Sequence, residues 1–273
     1  MNCRLMLWFL CLGSIVSVLS FGADIQSEDR TAEVIPLAPD VQQEIVRVVT
    51  ALSAGDMPEE AVQKIVQDFK SFKNKPPQEL LLQVLAVYGG KDEYRTNPRA
   101  EMAKRLLLSS LLQEMTPSNI VHAVAPKYEQ TSDPKLEYSL RQALSMATLR
   151  GGRADVINPN FDAFSAYVAQ RKEQPPRKLV GFMYGRNPQA AVLSMSRVYG
   201  DKAAETELAD KLKGDPKAAL QSLADRPEWW ARLYVAEMMK KQTQLRDAAI
   251  LKKLEKDDDP LVKGKVAEIT SDK

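Results

Sequence analysis

The chain has 273 residues, of which 44% are hydrophobic and 27% are charged, so it is long enough to bury a substantial core. Its 38 basic and 36 acidic residues leave a net charge of only +2 at pH 7. Nucleic-acid-binding proteins usually carry a basic excess or a basic stripe, so this balance argues against a nucleic-acid partner. Basic and acidic residues are interleaved along the sequence, which is typical of solvated helix faces.

The first 22 residues have the layout of a secretory signal peptide. Arg4 is followed by an apolar stretch over residues 5–19, and small residues then occur at Ser20, Gly22 and Ala23. This order predicts cleavage near Ala23 and export. An uncleaved anchor is the alternative, because the run of 19 uncharged residues approaches the length of a membrane span, about 20 residues.

Both cysteines of the chain, Cys3 and Cys11, lie inside this segment. After cleavage we therefore expect no disulfide, thiolate metal site or cysteine nucleophile. Residues 23–38 are polar and aperiodic, which predicts a flexible leader. We expect a helical-repeat domain over residues 39–273, with no stable membrane insertion once the signal is removed.

The remainder of the chain has helical periodicity. In its first segment five apolar residues line one helix face, namely Val41, Ile45, Val48, Val49 and Leu52. Similar segments follow towards the C-terminus, and convincing period-two alternation is absent. The predicted fold class is therefore all-α, with about a dozen short helices joined by tight loops.

Proline pairs mark the predicted helix starts. Seven prolines follow Asp, Asn or Thr, whose side chains can accept hydrogen bonds from the free N–H groups of a first turn. Proline suits the next position because the N–H that it lacks has no partner there. The pairs are Asn97-Pro98, Thr116-Pro117, Asp133-Pro134, Asn158-Pro159, Asn187-Pro188, Asp215-Pro216 and Asp259-Pro260. Glycines after Tyr88, Arg150, Tyr199 and Lys213 are predicted to close helices in the left-handed conformation.

Two intervals indicate internal repetition. Residues 235–238 (Val-Ala-Glu-Met) align with residues 266–269 (Val-Ala-Glu-Ile) at an offset of 31. Gly90, Gly152 and Gly214 are spaced 62 residues apart, which is twice that offset. Recurring helix starts and stops with such a period are typical of helical repeats.

The C-terminal segments resemble the HEAT-repeat family. Its recurring pattern begins with Asp-Pro and continues through an aliphatic, a basic and two small residues. The stretch Asp259–Lys263, followed by Val266 and Ile269, is similar to that pattern, as is Trp229–Arg232 followed by Val235. The resemblance implies an α-solenoid of stacked antiparallel helix pairs.

The two adjacent tryptophans of this segment cannot both face one packing layer, because neighbouring helical residues point about 100° apart. The repeat register predicts that Trp229 is structural and packs over the junction between repeats. Trp230 is then the candidate partner-binding residue, since exposed tryptophan is enriched among interface hot spots. The alternative is that Trp230 covers the preceding loop around Asp225.

Other candidate chemistry is sparse. His122 has no second histidine at a metal-ligating spacing, so we expect a partly exposed helical histidine. The run Asp257–Asp259 lacks the ligand spacing and glycine of an EF-hand loop, and we expect an N-cap with a solvated acidic turn. No catalytic, cofactor or metal site is predicted.

The sequence therefore favours an exported, non-catalytic scaffold, periplasmic or secreted, that binds a protein or peptide partner. The alternative is an extracytoplasmic enzyme or accessory factor that acts on cell-envelope material through carboxylates such as Glu137 or Asp155.

Overall fold

The all-α prediction is confirmed for the part of the chain that the structure describes. A computed structural model describes residues 35, 38–54, 57–90, 97–149, 159–200 and 202–271. These residues form fourteen α-helices and two short 3-10 turns, and they contain no strand. The predicted signal peptide, and all of the predicted leader except Ile35 and Ala38, lie outside the described residues.

The helices follow one another through short connections. In chain order they are α1 (Pro39–Ser53), α2 (Glu59–Lys70), α3 (Pro77–Gly90), α4 (Pro98–Gln113), α5 (Pro117–Gln130), α6 (Pro134–Ala147), α7 (Asp162–Ala169), α8 (Arg177–Arg186), α9 (Pro188–Tyr199), α10 (Lys202–Leu212), α11 (Pro216–Ala224), α12 (Trp229–Lys241), α13 (Ala248–Leu254) and α14 (Pro260–Ser271). Each contributes at least one buried apolar side chain to a contiguous core.

Six of the seven predicted helix starts are confirmed. The capping side chain accepts from first-turn N–H groups, as Asn97 does from Arg99 at 3.0 Å and Asp133 does from Lys135 at 2.9 Å. The Asn158-Pro159 prediction is wrong, because α7 begins only at Asp162. There Asn160 accepts from the Asp162 N–H at 2.9 Å, while its own N–H is held by the Thr148 carbonyl.

Gly200 and Gly214 both follow helices without the predicted left-handed backbone, and the glycines after Arg150 lie outside the described residues. Gly200 follows α9 with φ −113° and ψ −145°, so the prediction is wrong at this position. A Cβ added there would lie 2.9 Å from the Ser196 carbonyl oxygen, which explains the glycine by close approach. Among the described non-glycine residues, Lys73 and Asn74 adopt positive φ, in the turn after α2.

The leader is anchored before its predicted end. Ile35 is buried, and the Ala38 N–H donates to the Gln83 side-chain oxygen of α3 at 3.1 Å. These two described residues of the predicted leader therefore contact the helical domain.

Packing is local along the chain. Every described helix pair in extensive contact is separated by at most four positions, as α8 and α12 are. Helix α12 is buried around most of its circumference and contacts α8, α9, α11, α13 and α14. Helix α14 buries one stripe, formed by Val262, Val266 and Ile269. None of the described helices is both long enough and apolar enough to cross a membrane.

Candidate binding cleft

The structure reverses the predicted roles of the paired tryptophans. Trp230 is only 5% exposed, and its carbonyl oxygen accepts from the buried Tyr184 hydroxyl at 2.7 Å. Trp229 is half-buried, with the Arg177 guanidinium 4.1 Å from its ring centroid and the Tyr199 ring edge-on to it. The predicted assignment was wrong because α12 packs against neighbouring helices on several sides. The prediction assumed that only one of the two adjacent tryptophans could face a packed layer of helices. As a candidate partner-binding residue, Trp230 therefore lacks the accessibility that this role requires.

The Asp257–Asp259 turn is an N-cap, as predicted, but most of it is not solvated. Asp259 accepts from the N–H of Leu261 at 3.0 Å and pairs with Arg177 of α8. Asp257 is 8% exposed and binds Arg232 of α12 through two hydrogen bonds, at 2.6 and 2.9 Å. The two arginines satisfy buried carboxylates, so the expectation of a solvated acidic turn is wrong.

The other predicted residues form no catalytic constellation. His122 is exposed on α5, as expected, with Nδ1 2.8 Å from the Ser118 carbonyl oxygen. Glu137 lies 3.3 Å from the Lys178 ammonium, and Asp155 lies outside the described residues. Within the described ranges no three His, Cys, Asp or Glu residues are grouped closely enough to hold a metal ion. The carboxylate-enzyme alternative stays a hypothesis.

A partly buried carboxylate at the start of α8 is also structural. Glu129 of α5 accepts from the backbone N–H groups of Lys178 and Leu179 at 3.1 and 2.7 Å. Helix α8 has Pro176 as its N-cap, which offers no capping side chain, so Glu129 supplies the cap from another helix. Burial raises the pKa of Glu129 despite these hydrogen bonds. Its role is to fix α8 against α5.

A cleft of about 670 Å³ lies between α5, α6, α8, α12 and α14, and we call it the basic cleft. Phe182 and Leu233, both buried, give it apolar walls. Its charged lining consists of the cations Arg141, Lys178, Lys240, Lys241 and Lys265 and the carboxylates Glu237 and Glu268. The lining therefore has an excess of positive charge, although the whole chain is nearly neutral.

Glycines keep the basic cleft open. Gly181 and Gly185 of α8 and Gly264 of α14 all line it. A Cβ added at Gly185 or Gly264 would meet no atom within 4 Å, so close helix packing does not explain these two glycines. Their missing side chains leave room for a ligand along the backbones of both helices.

Part of the positive charge is neutralised within the cleft. Lys265 lies 3.0 Å from Glu237 and 2.7 Å from Glu268, and Lys240 also pairs with Glu268. Burial alone lowers the pKa of Lys265, but Glu268 and Glu237 raise it above the usual value. These pairs fix α12 against α14 and keep both carboxylates compensated.

Two cations of the basic cleft form no ion pair with a described residue. Arg141 is exposed on α6 and has no carboxylate within 4 Å among those residues, and the same holds for Lys241. The Lys241 ammonium donates to the Gly185 carbonyl oxygen at 2.8 Å. Partial burial, with the charges of Arg186 and Lys265, lowers the pKa of Lys241 although the charge of Glu237 opposes this shift. Both side chains are placed to meet an anionic group.

A second cavity of about 390 Å³ lies between α4 and α6, and we call it the apolar groove. Leu108, Leu112, Ala143 and Met146 form much of its lining. The large hydrophobic side chains exposed in the described part of the chain all belong to these two helices: Met102, Leu106, Tyr138 and Met146. They are between 38% and 73% exposed, which marks this face as apolar beyond the groove itself.

Sequence reasoning missed both cavities. The available signal was the pair Gly181 and Gly185, two glycines one turn apart inside a helical segment, where glycine is unfavourable without a specific reason. Comparison of the chain with family models, curated proteins and solved structures gave no match. The candidate binding site therefore depends on the geometry alone.

Proposed function

We propose that this protein is an exported, non-catalytic helical-repeat scaffold that binds an acidic protein or peptide segment in the basic cleft. The observation that carries the proposal is the cleft itself. It combines five cations, two carboxylates, apolar walls and glycines that leave its surface open. Anionic side chains complement such a lining in both charge and shape.

Arg141 and Lys241 are the proposed anchors for the partner's carboxylates. The other cleft cations already have carboxylate partners within the protein. They add to the positive electrostatic potential of the cleft but are not available for a direct ion pair with the ligand. Arginine can bind a carboxylate through two parallel hydrogen bonds, and a partly desolvated lysine gains from a new anionic neighbour.

A HEAT-like solenoid is the proposed arrangement of the helices. Local packing along the chain supports it, because repeats in such arrays contact mainly their neighbours. The aligned residues Val235 and Val266 are both fully buried and lie on helices that pack together. Ala236 is buried on α12, whereas its counterpart Ala267 is exposed on α14.

Export is proposed from the amino-acid pattern of residues 1–22. Intact-mass measurement on material collected outside the cytoplasm tests it. We expect a mature chain that starts near Ala23 and has lost both cysteines. A membrane-bound chain that retains the first 20 residues contradicts cleavage and favours the anchor.

Binding is tested with a fluorescein-labelled glutamate-rich peptide and its glutamine counterpart, by fluorescence anisotropy. We expect the glutamate peptide to bind more tightly, with an affinity that falls as salt is added. The double variant Arg141→Glu/Lys241→Glu is expected to bind at least about tenfold more weakly, whereas the control Lys252→Glu/Lys256→Glu on and after α13 keeps its affinity. Equal weakening by both double variants contradicts a site in the basic cleft.

A further inference from the structure

The basic cleft and the apolar groove lie on either side of one exposed ridge, the outer face of α6. Arg141 lines the cleft, and Met146 lines the groove. At 100° per residue these two side chains point about 140° apart around the helix, and Tyr138, Gln142 and Ser145 fall between them. All five are at least partly exposed. One ligand that crosses α6 can therefore contact both cavities.

We propose that the two cavities bind a single amphipathic segment, with its large apolar side chains in the apolar groove and its carboxylates in the basic cleft. This inference depends on the proposed peptide-binding function and specifies the chemistry of the partner.

Charge favours this occupant. Arg105 at the rim of the apolar groove pairs with Glu101 at 3.2 Å, so the groove offers mainly apolar contact. The adjacent cleft presents Arg141 and Lys241, which have no described ion-pair partner. A purely apolar ligand leaves these cations unmatched, and a purely acidic one leaves the exposed hydrophobic side chains in water. An acidic amphipathic segment satisfies both surfaces.

A second copy of this chain fits the surface less well. A two-fold interface sets the same residues of two subunits against each other. The carboxylates of this face are already paired within the subunit: Glu101 with Arg105, and Glu137 with Lys178. A copy therefore brings no unpaired described carboxylate to meet Arg141.

The geometry also predicts a spacing in the partner. A helix with its side chains is about 10 Å across, and an extended peptide advances about 3.3 Å per residue. About three residues are therefore needed to pass over α6. We expect apolar and acidic residues of the partner to be separated by a linker of about this length.

Three synthetic peptides test the inference by anisotropy. The first has two leucines, a three-residue Gly-Ser linker and four glutamates, and is made in both chain directions. The second replaces the leucines by serine, and the third replaces the glutamates by glutamine. We expect each replacement to weaken binding by about tenfold, the scale of one well-buried apolar side chain or one desolvated ion pair.

Protein variants assign each half of the peptide to its cavity. Tyr138→Ser/Met146→Ser is expected to remove the advantage of the leucines and to leave that of the glutamates. Arg141→Gln/Lys241→Gln is expected to remove the affinity gained from the glutamates and to leave that gained from the leucines. The control Lys252→Gln/Lys256→Gln is expected to leave both. The altered residues are at least partly exposed, and circular dichroism checks that every variant is folded.

The possible failures are distinguishable. If the leucines give no advantage while glutamate binding still depends on Arg141 and Lys241, this inference is overturned and the proposed function stands. If no peptide depends on Arg141 and Lys241, both are overturned. If vesicles of anionic phosphatidylglycerol bind with the same dependence on Met146 and Arg141 and the peptides do not bind, the surface recognises lipid and the peptide assignment is overturned.

Discussion

Replacing the two tryptophans of α12 one at a time should give unequal losses of stability, with Trp230→Ala the more damaging. Trp230 is almost completely buried and packs in the core. A buried aromatic side chain removes about 150–250 Å² from water, which at about 25 cal/mol per Å² corresponds to roughly 4–6 kcal/mol as an upper bound. Measured truncations of core Phe and Trp cost about 3–5 kcal/mol. We expect a loss of about 4 kcal/mol in the free energy of unfolding.

Trp229→Ala should cost clearly less. The half-buried ring loses its cation–π contact with Arg177 and its edge contact with Tyr199, together with part of its packing. The two ring contacts are worth about 0.5–1.5 kcal/mol each, so we expect a total loss of about 1–3 kcal/mol.

Urea unfolding followed by far-ultraviolet circular dichroism is the appropriate assay. The third tryptophan of the chain, Trp8, lies in the predicted signal peptide, so each substitution removes half of the fluorescence reporters of the mature protein. Equal losses, or a larger loss for Trp229→Ala, would refute the packing described for α12.

Three further perturbations have defined outcomes. Arg232→Ala leaves Asp257 buried without its partner and should lower the free energy of unfolding in urea by about 3 kcal/mol. In an Asp257→Ala background the same substitution should cost much less. Additive losses contradict a direct pair. Burial alone raises the pKa of Asp257, but Arg232 and a backbone N–H lower it below the ordinary 3.8. The stabilisation from the Asp257–Arg232 pair is therefore present at neutral pH and is lost as pH falls through this lowered pKa. Asp257→Asn should make the free energy of unfolding less dependent on pH in the acid range. An unchanged dependence in that range contradicts this. Gly185→Ala should stabilise the protein by about 0.5–1 kcal/mol because the added Cβ meets open space. Gly200→Ala should destabilise it because the added Cβ would lie 2.9 Å from a carbonyl oxygen. Thermal melts in which both variants change the melting temperature in the same direction contradict the local geometry.

The fold class and most helix starts could be predicted because both depend on local chemistry. An Asp or Asn before proline caps a helix wherever the next residues can turn, and Asp133 and Asp215 do so. At Asn158-Pro159 the prediction fails because the Asn160 N–H donates to the Thr148 carbonyl oxygen and the helix begins only at Asp162. That partner is distant in sequence from the proline pair and carries no local signal.

The candidate site could not be predicted for the same reason. Its cations come from four helices, and no short motif links them. They are Arg141 on α6, Lys178 on α8, Lys240 and Lys241 on α12, and Lys265 on α14. The error at Trp230 has a related cause. A helical wheel gives the directions of side chains, but the number of neighbours around α12 is a property of the tertiary packing.

The position of a bound peptide tests the account most directly. The chain has only 12 glycines, so their backbone amides are well suited as reporters in a nitrogen–proton correlation spectrum of the ¹⁵N-labelled protein. On titration with the leucine-glutamate peptide, we predict shifts at Gly181, Gly185 and Gly264, which line the basic cleft, and none at Gly200 or Gly214. Shifts confined to Gly200 and Gly214, or binding that moves none of the cleft glycines, would contradict a ligand-binding role for the cleft.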